Sequence, residues 1–341
     1  MTRILVSRND TFEAIGEATA SVVEKIRPLG PVDKIAITSR DQWLDMRKNY
    51  VTASDIASIS GVGRRSPLQV WAEKTGAIPP TTDNNILRRG RWFEAAIFAA
   101  IAEERPNWNV KRAGVFLTAN DYRLGATPDG LAIIPGVDGL VVIQNKLVSA
   151  PVFREKWLTD PDDKTSSIRV PLEYQLQTLT EAMLAGAATA YVVALVVDTY
   201  SAHLHLLEVP RHAEAEQRIL ERVAAFWMDI DSGREPEVMP GQDADAIKAL
   251  YPQDNGTEID LSGENEFPII VDQYVALGKQ ISAEQKERDT FKVQIAAKMR
   301  EAASARLADG RRVTFKTTDV AGYEVKPRTQ RTIRVSKGAN K

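Results

Sequence analysis

The order of hydrophobic patterns between residues 84 and 230 constrains the fold more than any other feature of this sequence. A helical pattern over residues 84–104 is followed by strand-like runs, a helical pattern at 170–186, two more strand-like runs and an amphipathic helix at 213–230. Strand and helix patterns in this order are typical of an α/β domain. The sequence therefore predicts an α/β core with a mixed β-sheet flanked by helices.

Composition divides the 341-residue chain into four predicted segments. Residues 1–40 predict an N-terminal helical extension, with helical spacing between residues 12 and 26, and residues 41–230 predict the core. Residues 231–268 are rich in glycine, proline and acidic residues, which is typical of a linker. Residues 269–341 predict a helical arm, made of one long helix or two, followed by a basic hairpin and tail.

Composition and charge also restrict the kind of site that the chain can hold. No cysteine is present, which excludes disulfides, thiolate zinc sites and iron–sulfur clusters. No apolar run approaches the roughly 18 residues of a membrane span, and the first ten residues lack the core of a signal peptide. We therefore expect a soluble cytoplasmic protein without a membrane partner. Because the net charge is −2, any contact with nucleic acid must be concentrated in a groove or tail.

The stretch from Gly125 to Leu147 has the features of a metal-dependent site. Asp129 follows a proline in a Pro-Asp-Gly turn, and Gln144 and Lys146 are two residues apart in a β-branched run, so they share one face of a strand. Mg²⁺ binds hard oxygen ligands and often needs only one or two protein carboxylates. A lysine beside such a site can orient a water molecule and stabilise negative charge. The stretch is either a catalytic site or an ordinary hairpin with the same turn residues.

This layout resembles the PD-(D/E)xK, or restriction-endonuclease-like, nuclease superfamily, with Pro128-Asp129 and Gln144-x-Lys146 in the places of its motif. Further stretches occur in the order MRKNYVTAS, RRGRWFEAAI, GATPDG, QNK and EYQLQ. Together they are similar to the lambda-exonuclease family, also called YqaJ-type viral recombinases. The resemblance covers residues 41–230 and implies a PD-(D/E)xK core, and the helical arm and basic hairpin are similar to the tail of many phage members.

The resemblance implies a phage-type 5′→3′ double-strand DNA exonuclease that resects duplex ends for single-strand annealing recombination. Such an enzyme uses Mg²⁺, for which Mn²⁺ can substitute, and passes the exposed strand to a single-strand annealing protein. The family relationship also implies a homo-oligomer, such as a trimer. If a phage encodes the chain, we expect it to act in the cytoplasm of the host cell.

Individual roles follow from the same resemblance. Asp129, Gln144 and the helical Glu94 correspond to metal ligands and, together with Lys146, to the catalytic set. The residues that correspond to contacts with DNA and with its terminal 5′-phosphate are Arg47, Ser54, Thr127, Tyr174 and Gln177.

Gln144 departs from the family pattern, which usually has a glutamate at this position. An amide oxygen can ligate a hard cation but carries no charge, and one unit-charge attraction at about 4 Å is worth roughly 4 kcal/mol at an effective dielectric near 20. Metal affinity should therefore fall unless another acid compensates, and Glu94 and Glu173 are the candidates. Two alternatives stay open: a site- or structure-specific endonuclease on the same fold, and a catalytically weakened DNA-end-binding accessory protein.

Aromatic residues along the predicted helices fit buried faces rather than base-stacking platforms. They are Trp71, Trp92, Phe93, Phe226 and Trp227. The arginine clusters at residues 64–65 and 88–91 are open to two interpretations, as contacts with backbone phosphates or as solvated helix faces.

Overall fold

The computed structural model describes residues 29–79, 84–163, 165–322 and 329–336. The described residues up to Leu250 form one compact unit, and those from Tyr251 onward form a second. The helix predicted between residues 12 and 26 lies outside the described residues. The helices of the first unit are α1 (Arg40–Asn49), α2 (Ile56–Ile59), α3 (Pro67–Thr75), α4 (Asn85–Glu104), α5 (Ala150–Trp157), α6 (Leu172–Ala185), α7 (Ala213–Asp231) and α8 (Ala244–Leu250). Its strands are β1 (Val32–Ala36), β2 (Val51–Thr52), β3 (Asn109–Arg112), β4 (Val115–Ala119), β5 (Leu124–Ala126), β6 (Gly130–Ile133), β7 (Val141–Ser149), β8 (Thr189–Val197) and β9 (Ala202–Pro210).

Five strands form the sheet that carries the candidate site. Their order is β3-β6-β7-β8-β9. Strands β7 and β8 are parallel, whereas the other neighbours are antiparallel. A parallel pair needs a crossover connection, and this one contains α5 and α6. The predicted α/β core with a mixed sheet flanked by helices is thereby confirmed.

The two faces of this sheet pack against different helices. Ile143 of β7 belongs to a buried cluster with Ile97 of α4. Its neighbour Val142 belongs to a cluster with Ala182 of α6. Odd-numbered residues of β7 therefore face α4 and even-numbered residues face α6, as the alternation of side chains along a strand requires.

A second sheet, with the order β1-β4-β5-β2, lies in the same unit. Strand β1 begins at Val32, before the predicted start of the core at residue 41, and pairs antiparallel with β4. Strand β2 pairs in parallel with β5, so Val51 lies opposite Leu124. A short 3₁₀ helix, Ala53–Asp55, follows β2 directly.

The C-terminal part of the chain differs in detail from the sequence-based prediction. The segment 231–268, predicted as a linker, contains α8, whose residue Ala246 is buried. In the second unit one continuous helix, α9 (Phe267–Met299), occupies the segment for which the sequence predicts one long helix or two. The hairpin that follows it pairs β10 (Ser304–Arg306) with β11 (Arg312–Thr314). Within the described residues, every helix is too short or too polar to cross a membrane.

The aromatic residues divide between core and surface. Trp71, Phe226 and Trp227 are buried, as predicted. The prediction is wrong for Trp92, which is 70% exposed, and for Phe93, which is 37% exposed. The buried residues of α4 lie in its C-terminal half, so its N-terminal half extends past the part that packs on the sheet.

A buried ion-pair cluster connects α1, α3 and the turn after β2. Asp55 is fully buried. One carboxyl oxygen lies 3.1 Å from Nζ of Lys74, and the other lies 3.7 Å from Nη2 of Arg47 and also contacts Arg65. Thr52 donates hydrogen bonds to the same carboxyl from its backbone and its hydroxyl. Burial raises the pKa of Asp55, but the charges of Lys74, Arg47 and Arg65 outweigh burial and hold the pKa well below its usual range.

The substitution Asp55→Asn should lower the free energy of unfolding by about 3 kcal/mol at neutral pH, because it leaves the buried cations without their partner. Since the folded pKa is depressed, this stabilisation is present above the unfolded pKa of about 4 and is lost as the pH falls toward the folded value. Urea denaturation of wild type and D55N at neutral and acidic pH measures the effect, and the difference between them should shrink at the acidic pH.

The control is Asp45→Asn, which removes an exposed acid that pairs with Lys48. It should change the free energy of unfolding by less than about 0.5 kcal/mol. Equal stability of D55N and wild type at neutral pH would contradict the role assigned to the buried cluster.

Candidate active site

Asp129 lies in the turn between β5 and β6 and is fixed against β7. Its Oδ2 accepts hydrogen bonds from Nε2 of Gln144 at 2.6 Å and from the backbone N–H of Asn145 at 2.8 Å. A Cβ atom at Gly130 would lie 2.9 Å from the ring of Phe98 on α4. The Pro-Asp-Gly turn therefore needs its glycine for the close approach of α4, and this approach holds the aspartate beside Gln144.

Lys146 lies on the same face of β7 as Gln144, and both face α6. Its Nζ donates a hydrogen bond to Oε1 of Gln177 at 3.0 Å and lies 4.6 Å from the centre of the Tyr174 ring. Nε2 of Gln177 in turn donates to Oε1 of Glu181 at 2.9 Å. A continuous set of polar contacts thus leads from the lysine to a carboxylate on α6.

Glu181 belongs to this site, although the sequence analysis did not single it out. Its side chain is buried, with 1% of the residue exposed. Tyr174, Gln177 and Glu181 follow one another at intervals of three and four residues along α6, so they share one helix face. The sequence contained this signal, because the glutamate continues the row that the EYQLQ motif begins.

The charged groups of the site influence one another. The pKa of Asp129 is raised to about 6, because burial and, to a smaller extent, the charge of Glu94 outweigh the charge of Lys146 and the hydrogen bond from Asn145. The pKa of Glu181 is raised to about 8, because burial and the charge of Asp129 outweigh the hydrogen bond from Gln177 and the charge of Lys146. Burial lowers the pKa of Lys146, against the opposing effect of Asp129 and Glu181. Asp129, Lys146 and Glu181 therefore form one electrostatic cluster.

Oxygen atoms in this cluster suit a hard divalent cation. Among the described residues, Oε1 of Gln144 and Oε2 of Glu181 are buried without a hydrogen-bond partner. A buried polar atom without a partner costs free energy, and amide and carboxylate oxygens are ligands that Mg²⁺ accepts. In the part of the chain that the structure describes, no three acidic or histidine side chains converge as a ready-made metal site. The residues therefore fit an ion that keeps water or substrate oxygens in its coordination shell.

Glu94 reaches the site from α4. Its Oε1 lies 3.9 Å from Nε of Arg112, and about a third of its side chain is exposed. Its charge contributes to the raised pKa of Asp129, so the two carboxyls lie near each other. Asn145 is on the odd-numbered face of β7, and both polar atoms of its side chain are buried without a partner among the described residues.

The predicted 5′-phosphate residues lie together around α1. Nη2 of Arg47 donates a hydrogen bond to Oγ of Ser54 at 3.1 Å, and the guanidinium lies 4.7 Å from the ring centre of Trp43. Nε1 of Trp43 donates to Oγ1 of Thr127 at 3.1 Å. Trp43, Arg47, Ser54 and Thr127 are called the Arg47 group below. Because Thr127 is two residues before Asp129, the Arg47 group is connected to the acidic cluster through the same turn. The sequence analysis missed Trp43, which lies one helical turn before Arg47.

A cleft lined by cationic side chains lies beside Tyr174. Arg64, Arg89 and Lys156 contribute to its wall. Nη2 of Arg64 donates a hydrogen bond to Oη of Tyr174 at 2.6 Å. The two neighbouring arginines therefore have different surroundings: Arg64 lines the cleft, whereas Arg65 belongs to the buried Asp55 cluster. Arginine and lysine side chains on an open wall are suited to contacts with backbone phosphates.

Several solved structures are similar to this one. An alkaline exonuclease from Laribacter hongkongensis is 21% identical, with 57% of this chain and 93% of that chain covered and a TM-score of 0.44. A phage-related exonuclease from Haemophilus somnus is 12% identical, with coverage of 54% and 94% and a TM-score of 0.38. The KSHV SOX protein in an RNA complex is 13% identical, with coverage of 57% and 71% and a TM-score of 0.33. These TM-scores are low, and the likeness carries no conclusion about the activity of this chain.

A comparison with curated proteins finds no match. The family model described as a YqaJ-like viral recombinase domain matches residues 42–188. The match includes the Arg47 group, α4, the turn with Asp129, strand β7 and the whole of α6 with Tyr174, Gln177 and Glu181. The family resemblance predicted from the sequence is thereby confirmed for residues 42–188, which match the model of a YqaJ-like viral recombinase domain.

Proposed function

We propose that the protein is a Mg²⁺-dependent 5′→3′ double-strand DNA exonuclease that resects duplex ends for single-strand annealing recombination. The broader class is a nuclease, which the YqaJ-like domain supports. The 5′→3′ polarity, the dependence on Mg²⁺ and the role in recombination are more specific than that class, and they are part of the proposal. In this role the protein acts as a homo-oligomer in the cytoplasm of a host cell and passes its product strand to a single-strand annealing protein.

One observation carries the proposal: Asp129 lies against Gln144 in the middle of β7, and Lys146 projects from the same strand face. Asp129 and Gln144 are hydrogen-bonded to each other, and Lys146 extends from the same strand face toward α6. A carboxylate and an amide oxygen without a partner can ligate a hard cation, and an ammonium group can stabilise the charge that develops in phosphodiester hydrolysis. An ordinary hairpin would have no reason to bury these groups together.

Asp129 and Gln144 would hold the magnesium ion, which when bound neutralises phosphate charge and activates water. Lys146 donates hydrogen bonds from Nζ to the attacking water and to the phosphoryl oxygens on which negative charge grows. Gln177 and the Tyr174 ring hold that ammonium group in place. Water gives up a proton to solvent as its oxygen bonds to phosphorus, the bond from phosphorus to the 3′-oxygen breaks, and the leaving 3′-oxygen gains a proton from solvent.

The Arg47 group accounts for a preference for duplex ends. The Arg47 guanidinium and the exposed hydroxyl of Ser54 lie side by side and present donors to a terminal 5′-phosphate. Thr127 connects them to the turn that carries Asp129. The cleft with Arg64 and Arg89 accommodates the backbone of the strand. A site built to bind a terminal phosphate argues against an endonuclease, which must bind an uninterrupted backbone.

Gln144 favours a second candidate function, a DNA-end-binding accessory protein. The amide of Gln144 has no charge, whereas a glutamate at this position would add one negative charge to the metal site. A protein that holds no metal would bind DNA ends but would not cleave them. The variant Gln144→Glu separates the two functions. If wild type and Q144E both bind ends and neither cleaves, the accessory role replaces the exonuclease.

The principal test uses linear duplex with 5′-phosphate or 5′-hydroxyl ends, together with closed circles, in the presence and absence of Mg²⁺ or Mn²⁺. Wild type should degrade one strand from phosphorylated ends and leave circles intact. Lys146→Ala should reduce cleavage by roughly a hundredfold or more, because it removes a donor to the developing charge. It should leave binding of duplex ends without metal within about twofold, because binding rests mainly on phosphate contacts elsewhere.

Lys111→Ala is the matched control, because Lys111 is an exposed lysine of β3 in the same sheet. It should leave cleavage unchanged. Undiminished cleavage by K146A would remove the mechanism, and cutting of closed circles would identify an endonuclease instead.

A second prediction concerns Arg47. Arg47→Ala should reduce the preference for 5′-phosphate over 5′-hydroxyl ends by roughly tenfold or more, because a charge-assisted hydrogen bond contributes about 1.5 to 3 kcal/mol. The ratio of initial cleavage rates on the two substrates measures it. Lys48→Ala, which removes the next and more exposed cation of α1, should leave the ratio unchanged. If R47A slowed both substrates equally, the pocket would not recognise the terminal phosphate.

A further inference from the structure

Glu181 is a buried acid, and one of its two carboxyl oxygens has no hydrogen-bond partner among the described residues. Its Oε1 accepts the hydrogen bond from Gln177, but among the described residues its Oε2 has no partner although it is shielded from water. A carboxylate oxygen buried in this state is costly unless something binds it. The oxygen is therefore available to a ligand of positive charge.

The position of Glu181 places that oxygen at the acidic cluster. The helix α6 packs along the even-numbered face of β7, with Ala182 against Val142. Gln144 and Lys146 are on that same face. Glu181 is close enough to Asp129 and Lys146 for their charges to act on it. The second buried oxygen without a partner, Oε1 of Gln144, projects from the strand that α6 covers.

We propose that Glu181 supplies the second carboxylate of the divalent-metal site and so replaces the charge that Gln144 lacks. The inference rests on the proposed function for the identity of the cation, a hard divalent ion used in phosphodiester hydrolysis. With Asp129, Glu181 and Lys146 ionised, the site has two negative charges and one positive charge. The family pattern of Asp, Glu and Lys has the same charges, with the second carboxylate on the strand instead of the helix.

The two acids named from the sequence as compensating residues are less suited to this role. Glu173 lies 3.4 Å from Nη2 of Arg64. Glu94 lies 3.9 Å from Nε of Arg112 and is about a third exposed. Each has a cationic neighbour that competes with a metal for its charge. Glu181 makes no ion pair within 4 Å among the described residues, its one hydrogen bond comes from an amide, and the nearby Lys146 is shared with Asp129. Its position on the Gln144 side of β7 favours it on geometry as well.

Isothermal titration calorimetry of the full-length protein with Mn²⁺ tests the proposal without reference to cleavage. Glu181→Gln should weaken Mn²⁺ binding by at least about tenfold, because affinity for hard cations follows the number of charged oxygen ligands. Glu173→Gln, which changes an acid about two turns away on the same helix, should leave the affinity within about twofold. The double variant Gln144→Glu/Glu181→Gln returns the second carboxylate to the strand and should recover affinity to near the wild-type value.

Thermal unfolding without metal shows whether E181Q is folded. Glutamine has nearly the same shape, and it removes a buried carboxyl that shares its one cationic neighbour, Lys146, with Asp129, so the melting temperature should stay the same or rise. Wild-type Mn²⁺ affinity in E181Q would overturn the proposal, as would a double variant that does not recover, or a wild-type protein that binds no Mn²⁺. If wild type binds Mn²⁺ but cleaves no DNA, the proposed function is contradicted, whereas the role of Glu181 as a metal ligand is still supported by the binding data.

Discussion

The packing of α6 on the even-numbered face of β7 is the interaction on which the candidate site depends. A parallel β7–β8 pair requires a connection that crosses back over the sheet, and α6 is the part of that connection that lies on β7. The crossing brings Gln177 to Lys146 and Glu181 to the side of Asp129. Residues far apart in the sequence therefore meet because of the sheet topology and not because of a local motif.

Three carboxyls in this protein, Asp55, Asp129 and Glu181, show two opposite ways of resolving the cost of burial. Three cations surround Asp55 and keep its pKa low, so its charge stabilises the fold. Asp129 and Glu181 have one lysine between them, and burial raises their pKa values to about 6 and about 8. Carboxyls with raised pKa values in a polar cluster are typical of functional sites. Such sites often contain arrangements that lower the free energy of unfolding but are needed for activity. A divalent cation would supply the missing positive charge.

The sequence predicts the parts of the site that depend on local periodicity. Strand alternation puts Gln144 and Lys146 on one face, and the structure has them there. The contact between Arg47 and Ser54 could not come from periodicity, because it depends on how α1 and the turn after β2 meet, and only the family resemblance pointed to it. Trp92 was misjudged because helical spacing identifies an apolar face without indicating how far along the helix that face is covered. Glu181 was missed because an acid in a helix is most often exposed, and only the packing of α6 on β7 shows that this face is buried.

The position of a bound ion tests the account most directly. Crystals of the protein soaked with Mn²⁺ give an anomalous difference map in which the metal is located independently of the protein atoms. The account predicts a peak within coordination distance of Asp129, of the amide oxygen of Gln144 and of a carboxyl oxygen of Glu181. A peak that these side chains do not contact, or one coordinated by Asp129 with Glu181 still turned toward Gln177 alone, would contradict it.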